Sequence, residues 1–302
     1  MKSLAAYIMR GRWQAAAVAS VLAFLSLLLP PTSILSSATI ALITLRRGAH
    51  DGVFVLLLAC AISTLMSLLL LGNYLFALIY GFMLWLPVWI ISIILRESKR
   101  LSLVLKISAV FSLVTVVMTY VVMSDPAASW NQVMSLVIEP MLPETEGSET
   151  EIKQAIAGMS KYMTGLTATG FISSLLFGLF LGRWWQSVLY NPGGFRQEYL
   201  ALRAQAGFAI GSVLVVLVAL FSSGKFSEIA WNLSIPLFML YIFIGTAIAH
   251  SLLTAMKTKR YLLPIFYVLL FMIPHALVPV ALIGLSDSWL NLRNRVSNHT
   301  SA

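Results

Sequence analysis

Long stretches without a charged side chain dominate this sequence. A helix that crosses the hydrocarbon core of a bilayer, about 30 Å thick, needs about 20 apolar residues. Charged residues make up only 10% of the chain, against about 25% in soluble domains. The sequence therefore predicts an all-α, polytopic transmembrane helical bundle. It excludes a soluble enzyme, a secreted disulfide-stabilised module and a disordered protein. The stretches that lack Asp, Glu, Lys and Arg are 13–45, 52–95, 107–124, 162–182, 204–224, 229–256 and 261–286.

Turn residues and prolines divide these stretches into about eight predicted spans. Gly72 and Asn73 form the turn of a tight helical hairpin. Pro30 and Pro31 end the first span, and the following piece, 33–45, rises only about 20 Å as a helix. That piece is either a short tilted span or half of a broken helix. The full spans are expected at 13–29, 53–71, 74–95, 101–123, 163–189, 205–222 and 231–256.

The C-terminal stretch 261–286 is broken by Pro264, Pro274 and Pro279, so the bundle has proline-broken segments at both ends. The stretch either crosses once or folds back at Pro274-His275, and we favour folding back because it keeps Arg293 and Arg295 with the other basic residues. Non-helical backbone at membrane depth must line protein or a water-filled cavity, and broken helices often form transporter binding sites. The candidate ligand-binding residues are therefore Pro30, Pro31, Pro274 and His275.

The distribution of basic residues predicts the orientation. With the N-terminus in the cytoplasm, fifteen basic residues lie on the cytoplasmic side and only Lys153, Lys161 and Lys225 lie on the other side. This bias predicts a multi-pass membrane protein whose N-terminus lies in the cytoplasm. The first apolar run has no small-residue cleavage site, so we expect the first helix to be retained.

On this topology residues 1–302 form a single integral membrane domain with two sizeable loops. Residues 124–161 are an extracytoplasmic acidic loop, and 190–204 a cytoplasmic loop. The acidic cluster 144–151 lacks the ligand spacing of a calcium loop and is expected to be solvated. An apolar pattern at helical spacing allows part of the acidic loop to lie flat on the membrane. Its members are Met134, Val137, Ile138 and Met141.

No residue pattern predicts catalysis or metal binding. The four histidines are isolated, and none has a second histidine at i+4. The single cysteine, Cys60, excludes an intramolecular disulfide and a cysteine-rich metal site. The central parts of the spans hold no carboxylate of the kind that proton or sodium coupling uses. We therefore expect no enzyme activity, no catalytic residue, no metal and no cofactor. The net charge of +9 is explained by membrane topology and does not indicate a nucleic-acid partner.

Small residues recur every four positions on two helices. Helices in lipid associate through such stripes because small side chains allow close backbone approach. Each stripe serves either packing within the chain or docking of a partner protein. The first stripe consists of Ala15, Ala19 and Ala23, and the second of Gly170, Ser174, Gly178 and Gly182.

The most distinctive cytoplasmic stretch runs from residue 191 to residue 203. Its proline and two glycines predict a sharp reversal, after which Phe195, Tyr199 and Leu202 lie on one face of a short helix. The stretch is either a juxtamembrane turn at the headgroups or a contact for a partner. It begins with Asn191, Pro192, Gly193, Gly194, Phe195 and Arg196.

That stretch and the closing run Gly284-Leu-Ser-Asp-Ser-Trp-Leu-Asn-Leu-Arg293 resemble the YybS-like family of bacterial membrane proteins of unknown function. This family is distantly similar in fold to the substrate-binding S subunits of energy-coupling-factor transporters and to the rod-shape-determining MreD proteins. In S subunits, small residues spaced by four on the first helix dock the coupling subunit, and the alanine stripe matches this pattern. S subunits usually have six spans, whereas about eight are expected here.

Two hypotheses about function follow from the uncharged spans and the resemblance. The first is an S-subunit-like transport component that binds a small molecule within its helices and works with a membrane partner subunit. The alternative is a ligand-free membrane scaffold of an envelope-morphogenesis complex, similar to MreD. Both place the chain in the lipid bilayer, and the resemblance implies the bacterial cytoplasmic (inner) membrane. A membrane-embedded enzyme is less favoured because no nucleophile or acid–base pair was found.

Overall fold

A computed structural model describes residues 1–138, 148–255 and 261–293. Almost all of these residues are helical, and no strand occurs among them. Several predictions concern residues outside the described ranges: these are Met141, most of the acidic cluster 144–151, Arg295 and His299. The α-helices in the described ranges are α1 (Lys2–Ile8), α2 (Arg12–Leu25), α3 (Thr32–Arg47), α4 (Ala49–Leu71), α5 (Leu75–Tyr80), α6 (Leu86–Ser98), α7 (Leu101–Val122), α8 (Pro126–Ile138), α9 (Ser148–Ser160), α10 (Met163–Tyr190), α11 (Gly194–Leu200), α12 (Ala206–Phe221), α13 (Gly224–Ala255), α14 (Leu262–Met272) and α15 (Leu277–Leu290).

Five helical segments of the described chain are long and apolar enough to cross a membrane. They are α4, the continuous segment Leu75–Ser98, α7, α10 and α13. The chain bends by 115° between α14 and α15. A sixth crossing is obtained only when this bent pair is counted as one span. The predicted count of about eight is not confirmed. The predicted spans 13–29 and 205–222 correspond to α2 and α12, which have only 14 and 16 residues, whereas about 20 are needed.

Contacts between residues divide the chain into two compact units. The first unit comprises residues 1–108 and 173–201, and the second comprises 109–172 and 202–302. The helices α7 and α10 therefore contribute residues to both units. The prediction of a single membrane domain stays a prediction, and each unit is described by itself below.

The first unit is built around α3, in which the ten consecutive residues 36–45 are all buried. Pro30 and Pro31 lie in the exposed turn between α2 and α3, so the piece 33–45 belongs to a complete short helix in a hairpin. Two hydroxyl groups hold this hairpin together. The Thr32 hydroxyl donates to the carbonyl of Leu22 at 3.1 Å, and the Ser36 hydroxyl donates to the carbonyl of Ala19 at 2.7 Å.

A π-helical turn, Gly81–Trp85, joins α5 to α6 within one continuous segment. The Trp85 side chain is fully buried, and its indole N–H donates to the Ser36 hydroxyl at 3.0 Å. Since π-turns insert an extra residue into a helix, this turn changes the face that the following residues present. The buried indole nitrogen of Trp85 therefore has a hydrogen-bond partner, Ser36, within the unit.

In the second unit α13 packs closely against α12 and α15. An added Cβ atom at Gly245 would lie 1.9 Å from the carbonyl oxygen of Val280, so only glycine fits there. The helix break at Pro274 is confirmed. Pro264 and Pro279, in contrast, lie in the first turns of α14 and α15, where the missing N–H would have no intrahelical acceptor.

The acidic segment 124–161 is not a simple loop, because α8 and α9 occupy much of it and contact each other. The local signal for α8 is the Asp125-Pro126 pair. The Asp125 carboxylate accepts the Ala128 N–H at 2.9 Å, which is the bond of an N-capping residue. Proline fits the first helical position because its φ angle already matches the helix.

Candidate ligand-binding site

The four residues predicted to bind a ligand are not brought together. Pro30 and Pro31 are exposed in the α2–α3 turn of the first unit. Pro274 and His275 are exposed in a short 3-10 turn between α14 and α15 of the second unit. None of the four lines either of the two polar cavities described below.

The alanine stripe on α2 packs within the first unit. Its three members, Ala15, Ala19 and Ala23, are fully buried in a hydrophobic cluster with α3 and α4. The stripe was predicted to serve either packing within the chain or docking of a partner, and its burial favours packing within the chain. A partner protein docked on these alanines would have to displace α3 or α4.

The glycine stripe on α10 packs along only part of its length. Added Cβ atoms would lie 2.1 Å from the Ser37 hydroxyl oxygen at Gly178 and 2.7 Å from the Cβ of Ala41 at Gly182. At Gly170 an added Cβ would meet nothing within 4 Å, and Ser174 is half-buried. The C-terminal half of the stripe is therefore the close contact with α3.

The distinctive cytoplasmic stretch folds back onto α10. Gly193 has a φ of 87°, which favours glycine, and is the N-capping residue of α11. Phe195 and Tyr199 both lie with ring centroids 6.0 Å from the ring of Phe180. The predicted third member of this face, Leu202, lies beyond the end of α11, so the three-residue face is wrong. Asn191, Pro192, Gly194 and Arg196 form the turn and the first part of α11.

A cavity of about 470 Å³ in the first unit is lined by charged residues, most of which already have partners within the protein. The Arg183 guanidinium donates two hydrogen bonds to the carboxylate of Glu198 and one to the side-chain oxygen of Gln186. Arg96 donates to the carbonyl oxygen of Leu45 at 2.7 Å. Such pairing satisfies the guanidinium donors within the protein. This cavity is therefore a structural junction, which ties α3, α6, α10 and α11 together.

The second unit contains a pocket of about 490 Å³ with a different charge arrangement. We call it the polar pocket. It lies where α7 ends and where α10 and α13 begin. Two carboxylates, two ammonium groups and two aromatic rings are among the groups that line it. The residues are Asp125, Lys161, Tyr162, Lys225, Glu228 and Trp231.

The charged groups of the polar pocket form no ion pair with one another in the described part of the chain. Lys225 donates to the carbonyl oxygen of Ser124 at 2.7 Å, and the Glu228 carboxylate accepts the Tyr120 hydroxyl at 2.7 Å. Each of these bonds leaves further donor or acceptor capacity on the charged group. Both signs of charge are therefore presented to the space between them.

A buried asparagine holds the elements of the polar pocket in place. The amide nitrogen of Asn232, on α13, donates to the Tyr120 hydroxyl at 3.0 Å and to the Lys161 carbonyl at 2.6 Å. Its amide oxygen accepts the Gly165 N–H at 2.6 Å. That N–H lies in the first turn of α10, where it has no intrahelical acceptor. The asparagine thus joins α7, α10 and α13 beside the pocket.

The last two residues of the cytoplasmic stretch, Leu202 and Arg203, contact the closing run within the second unit. Arg293 donates to the Leu202 carbonyl, and Arg203 donates to the Asp287 carbonyl at 3.4 Å. Asp287 is only 2% exposed, and its carboxylate lies 3.9 Å from the Arg293 guanidinium. Burial lowers the pKa of Arg293, and the negative charge of Asp287 opposes that shift. The contact is a buried structural cluster.

Sequence reasoning placed Asp125, Lys161 and Lys225 on the extracytoplasmic side but did not identify them as a site. Glu228 and Trp231 were missed, because Glu228 only borders a charge-free stretch and Trp231 is simply the first residue of a predicted span. One available signal was the spacing of Lys225 and Glu228, which puts opposite charges on one helix face at the start of a span. Among the described residues, no group of three His, Cys, Asp or Glu side chains is placed to hold a metal ion.

The chain was also compared with known proteins. No protein-family model matches it, and no curated protein or solved structure matches it either.

Proposed function

We propose that this chain is a multi-span membrane protein that binds a small zwitterionic molecule in the polar pocket. The observation that carries the proposal is the presence of two ammonium groups and two carboxylates around one cavity, without ion pairs between them. Its volume of about 490 Å³ lies within the range of about 300–1,000 Å³ that is usual for ligand sites.

The chemistry of the lining favours a ligand that carries both signs of charge. An acidic group on the ligand pairs with Lys161 or Lys225, and an ammonium group pairs with Asp125 or Glu228. A ligand with one charge leaves the opposite pair of side chains without a counterion. The ring of Trp231 offers an additional face for the ammonium group, since aromatic faces attract cations.

The predicted topology places the polar pocket on the extracytoplasmic side, so we propose that the ligand is captured from outside the cytoplasm. The transport role expected from the family resemblance is kept as part of the proposal. Its partner subunit is proposed to bind elsewhere than on the alanine stripe, because that stripe is buried. The scaffold alternative stays a prediction, because burial of the alanine stripe bears equally on a coupling subunit and on a scaffold partner.

Binding of water-soluble zwitterions to the purified protein in detergent tests the proposal. Isothermal titration calorimetry would compare glycerophosphoethanolamine and alanine with ethanolamine, which carries only positive charge, and glycerol phosphate, which carries only negative charge. We expect at least one zwitterion to bind, and to bind more tightly than either of these two compounds. Lys161→Gln and Glu228→Gln should each weaken this binding about tenfold or more, since hydrogen bonds to charged groups contribute about 1.5–3 kcal/mol.

Lys153→Gln is the matched control, because Lys153 is an exposed lysine of the same unit that does not line the pocket. This variant should bind as the wild type does. Equal effects of Lys153→Gln and Lys161→Gln would contradict the proposal, and so would the absence of binding for every zwitterion.

A further inference from the structure

The second unit contains another cavity, which lies next to the polar pocket along α13. It is a groove of about 420 Å³ between α12, α13 and α15, and we call it the apolar groove. Its walls are apolar side chains that are partly exposed, including Val216 at 37%, Val278 at 49% and Leu282 at 57%. Its floor contains the buried residues Leu237 and Ala281.

The polar atoms at the floor of the apolar groove already have partners. The hydroxyl groups of Ser212 and Tyr241 lie 2.9 Å apart and are hydrogen-bonded. The Ser234 hydroxyl donates to the Ala230 carbonyl at 2.8 Å. The groove therefore offers almost no free polar group, and hydrocarbon is the chemistry that fits it.

Trp231 lines both the polar pocket and the apolar groove, so the two cavities adjoin at this side chain. From Trp231 to Tyr241 the groove follows ten residues of α13, which rise about 15 Å. That length equals about half of the hydrocarbon core of a bilayer, or one leaflet. A charged pocket thus lies at the end of an apolar groove of one leaflet's depth.

We propose that the ligand is a phospholipid with a zwitterionic, ammonium-bearing phosphate headgroup in the polar pocket and an acyl chain in the apolar groove. This inference rests on the proposed function and names the class of ligand. The phosphate pairs with Lys161 and Lys225, and the ammonium pairs with Asp125 and Glu228. An acyl chain is surrounded by hydrocarbon both in the groove and in the bilayer, so the groove contributes only shape complementarity to the chain. Selectivity among lipids therefore comes from the headgroup.

Native mass spectrometry of the purified protein in detergent tests the inference with three probes. The probes are phosphatidylethanolamine, phosphatidylglycerol with the same acyl chains, and glycerophosphoethanolamine, which is the headgroup without chains. We expect phosphatidylethanolamine to bind at least about tenfold more tightly than phosphatidylglycerol. The latter has no ammonium group for Asp125 and Glu228.

Val278→Trp tests the groove separately, because a large side chain at this exposed wall position fills it. The variant should weaken phosphatidylethanolamine binding about tenfold and leave glycerophosphoethanolamine binding unchanged. Leu282→Trp serves as a second groove variant in case Val278→Trp does not fold. Val268→Trp is the matched control, since Val268 is 55% exposed on α14 and does not line the groove.

The outcomes separate the two proposals. Unchanged phosphatidylethanolamine binding in a folded groove variant, or equal binding of both lipids, overturns the lipid inference while headgroup binding still supports the proposed function. Loss of lipid binding in Val268→Trp as well would also overturn it, because the groove would not be specific. Failure of both glycerophosphoethanolamine and phosphatidylethanolamine to bind overturns the lipid inference, and the zwitterion site is overturned with it when alanine also fails to bind.

Discussion

Replacing Gly182 by alanine tests how closely α10 packs on α3. The new Cβ atom would lie 2.7 Å from the Cβ of Ala41 and 2.9 Å from the carbonyl oxygen of Ala38. Real Cβ atoms essentially never approach within 3.0 Å of a non-bonded heavy atom of a packed neighbour. Since residues 36–45 of α3 are all buried, relief requires the two helices to move apart.

The size of the effect follows from two opposing contributions. Overpacking of this kind costs about 1–3 kcal/mol of unfolding free energy, and the contact with backbone favours the upper half of that range. Alanine has a higher helix propensity than glycine, which offsets about 1 kcal/mol of this overpacking cost. The net loss of unfolding free energy is therefore about 1–2 kcal/mol. Gly170→Ala, in the same stripe, meets no atom within 4 Å and should increase the unfolding free energy by about 0.5–1 kcal/mol.

Intrinsic tryptophan fluorescence during a denaturant titration in detergent provides the assay, because tryptophans occur in both units. Gly182→Ala should unfold at a lower denaturant concentration than the wild type, and Gly170→Ala at a higher one. A second substitution, Ala41→Gly, should restore part of the stability of Gly182→Ala by removing the nearer contact. The reasoning is refuted by a Gly182→Ala variant that is as stable as Gly170→Ala.

Three further substitutions probe buried polar contacts. Asn232→Leu should lower the unfolding free energy by about 1–3 kcal/mol, because it leaves the buried Gly165 N–H without an acceptor; the denaturant titration measures this, and a loss below about 0.5 kcal/mol would count against the hydrogen-bond arrangement. Asp287→Leu should cost about 1.5–3 kcal/mol, since it removes the carboxylate beside the half-buried Arg293 guanidinium, and a neutral result would contradict the ion pair. Glu198→Gln should weaken the attachment of α11 to α10 by about 1–2 kcal/mol of local opening free energy. Faster hydrogen exchange of α11 alone is the expected signature, and unchanged exchange is the result that would oppose it.

Several spans could be predicted closely because their boundaries are local. The predicted spans 53–71, 101–123 and 163–189 correspond to α4, α7 and α10 within a few residues, since charged and turn residues border the apolar runs. The length of α2 was overestimated for a different reason. Hydropathy counts apolar residues whether or not they are helical, and Leu27, Leu28 and Leu29 are apolar but lie in the turn before Pro30.

The candidate site could not be predicted, because its residues come from distant parts of the chain. Asp125, Lys161 and the pair Lys225 and Glu228 are separated by tens of residues and meet only where α7, α10 and α13 come together. Prolines gave a misleading signal. Proline interrupts helical hydrogen bonding only beyond the first turn of a helix. Such an interruption marks a ligand site only when it faces a cavity, and Pro30 and Pro274 are exposed.

The sequence by itself determined that this chain is helical, apolar enough for several membrane crossings, and nearly free of charge within them. Those properties depend on composition and on local periodicity, which need no knowledge of neighbours in space. Tertiary structure alone decided which small residues pack closely, since Gly182 and Gly170 share one stripe but only Gly182 meets α3. It also decided where opposite charges surround a pocket beside an apolar groove, because the distance between side chains on different helices is set by how those helices pack.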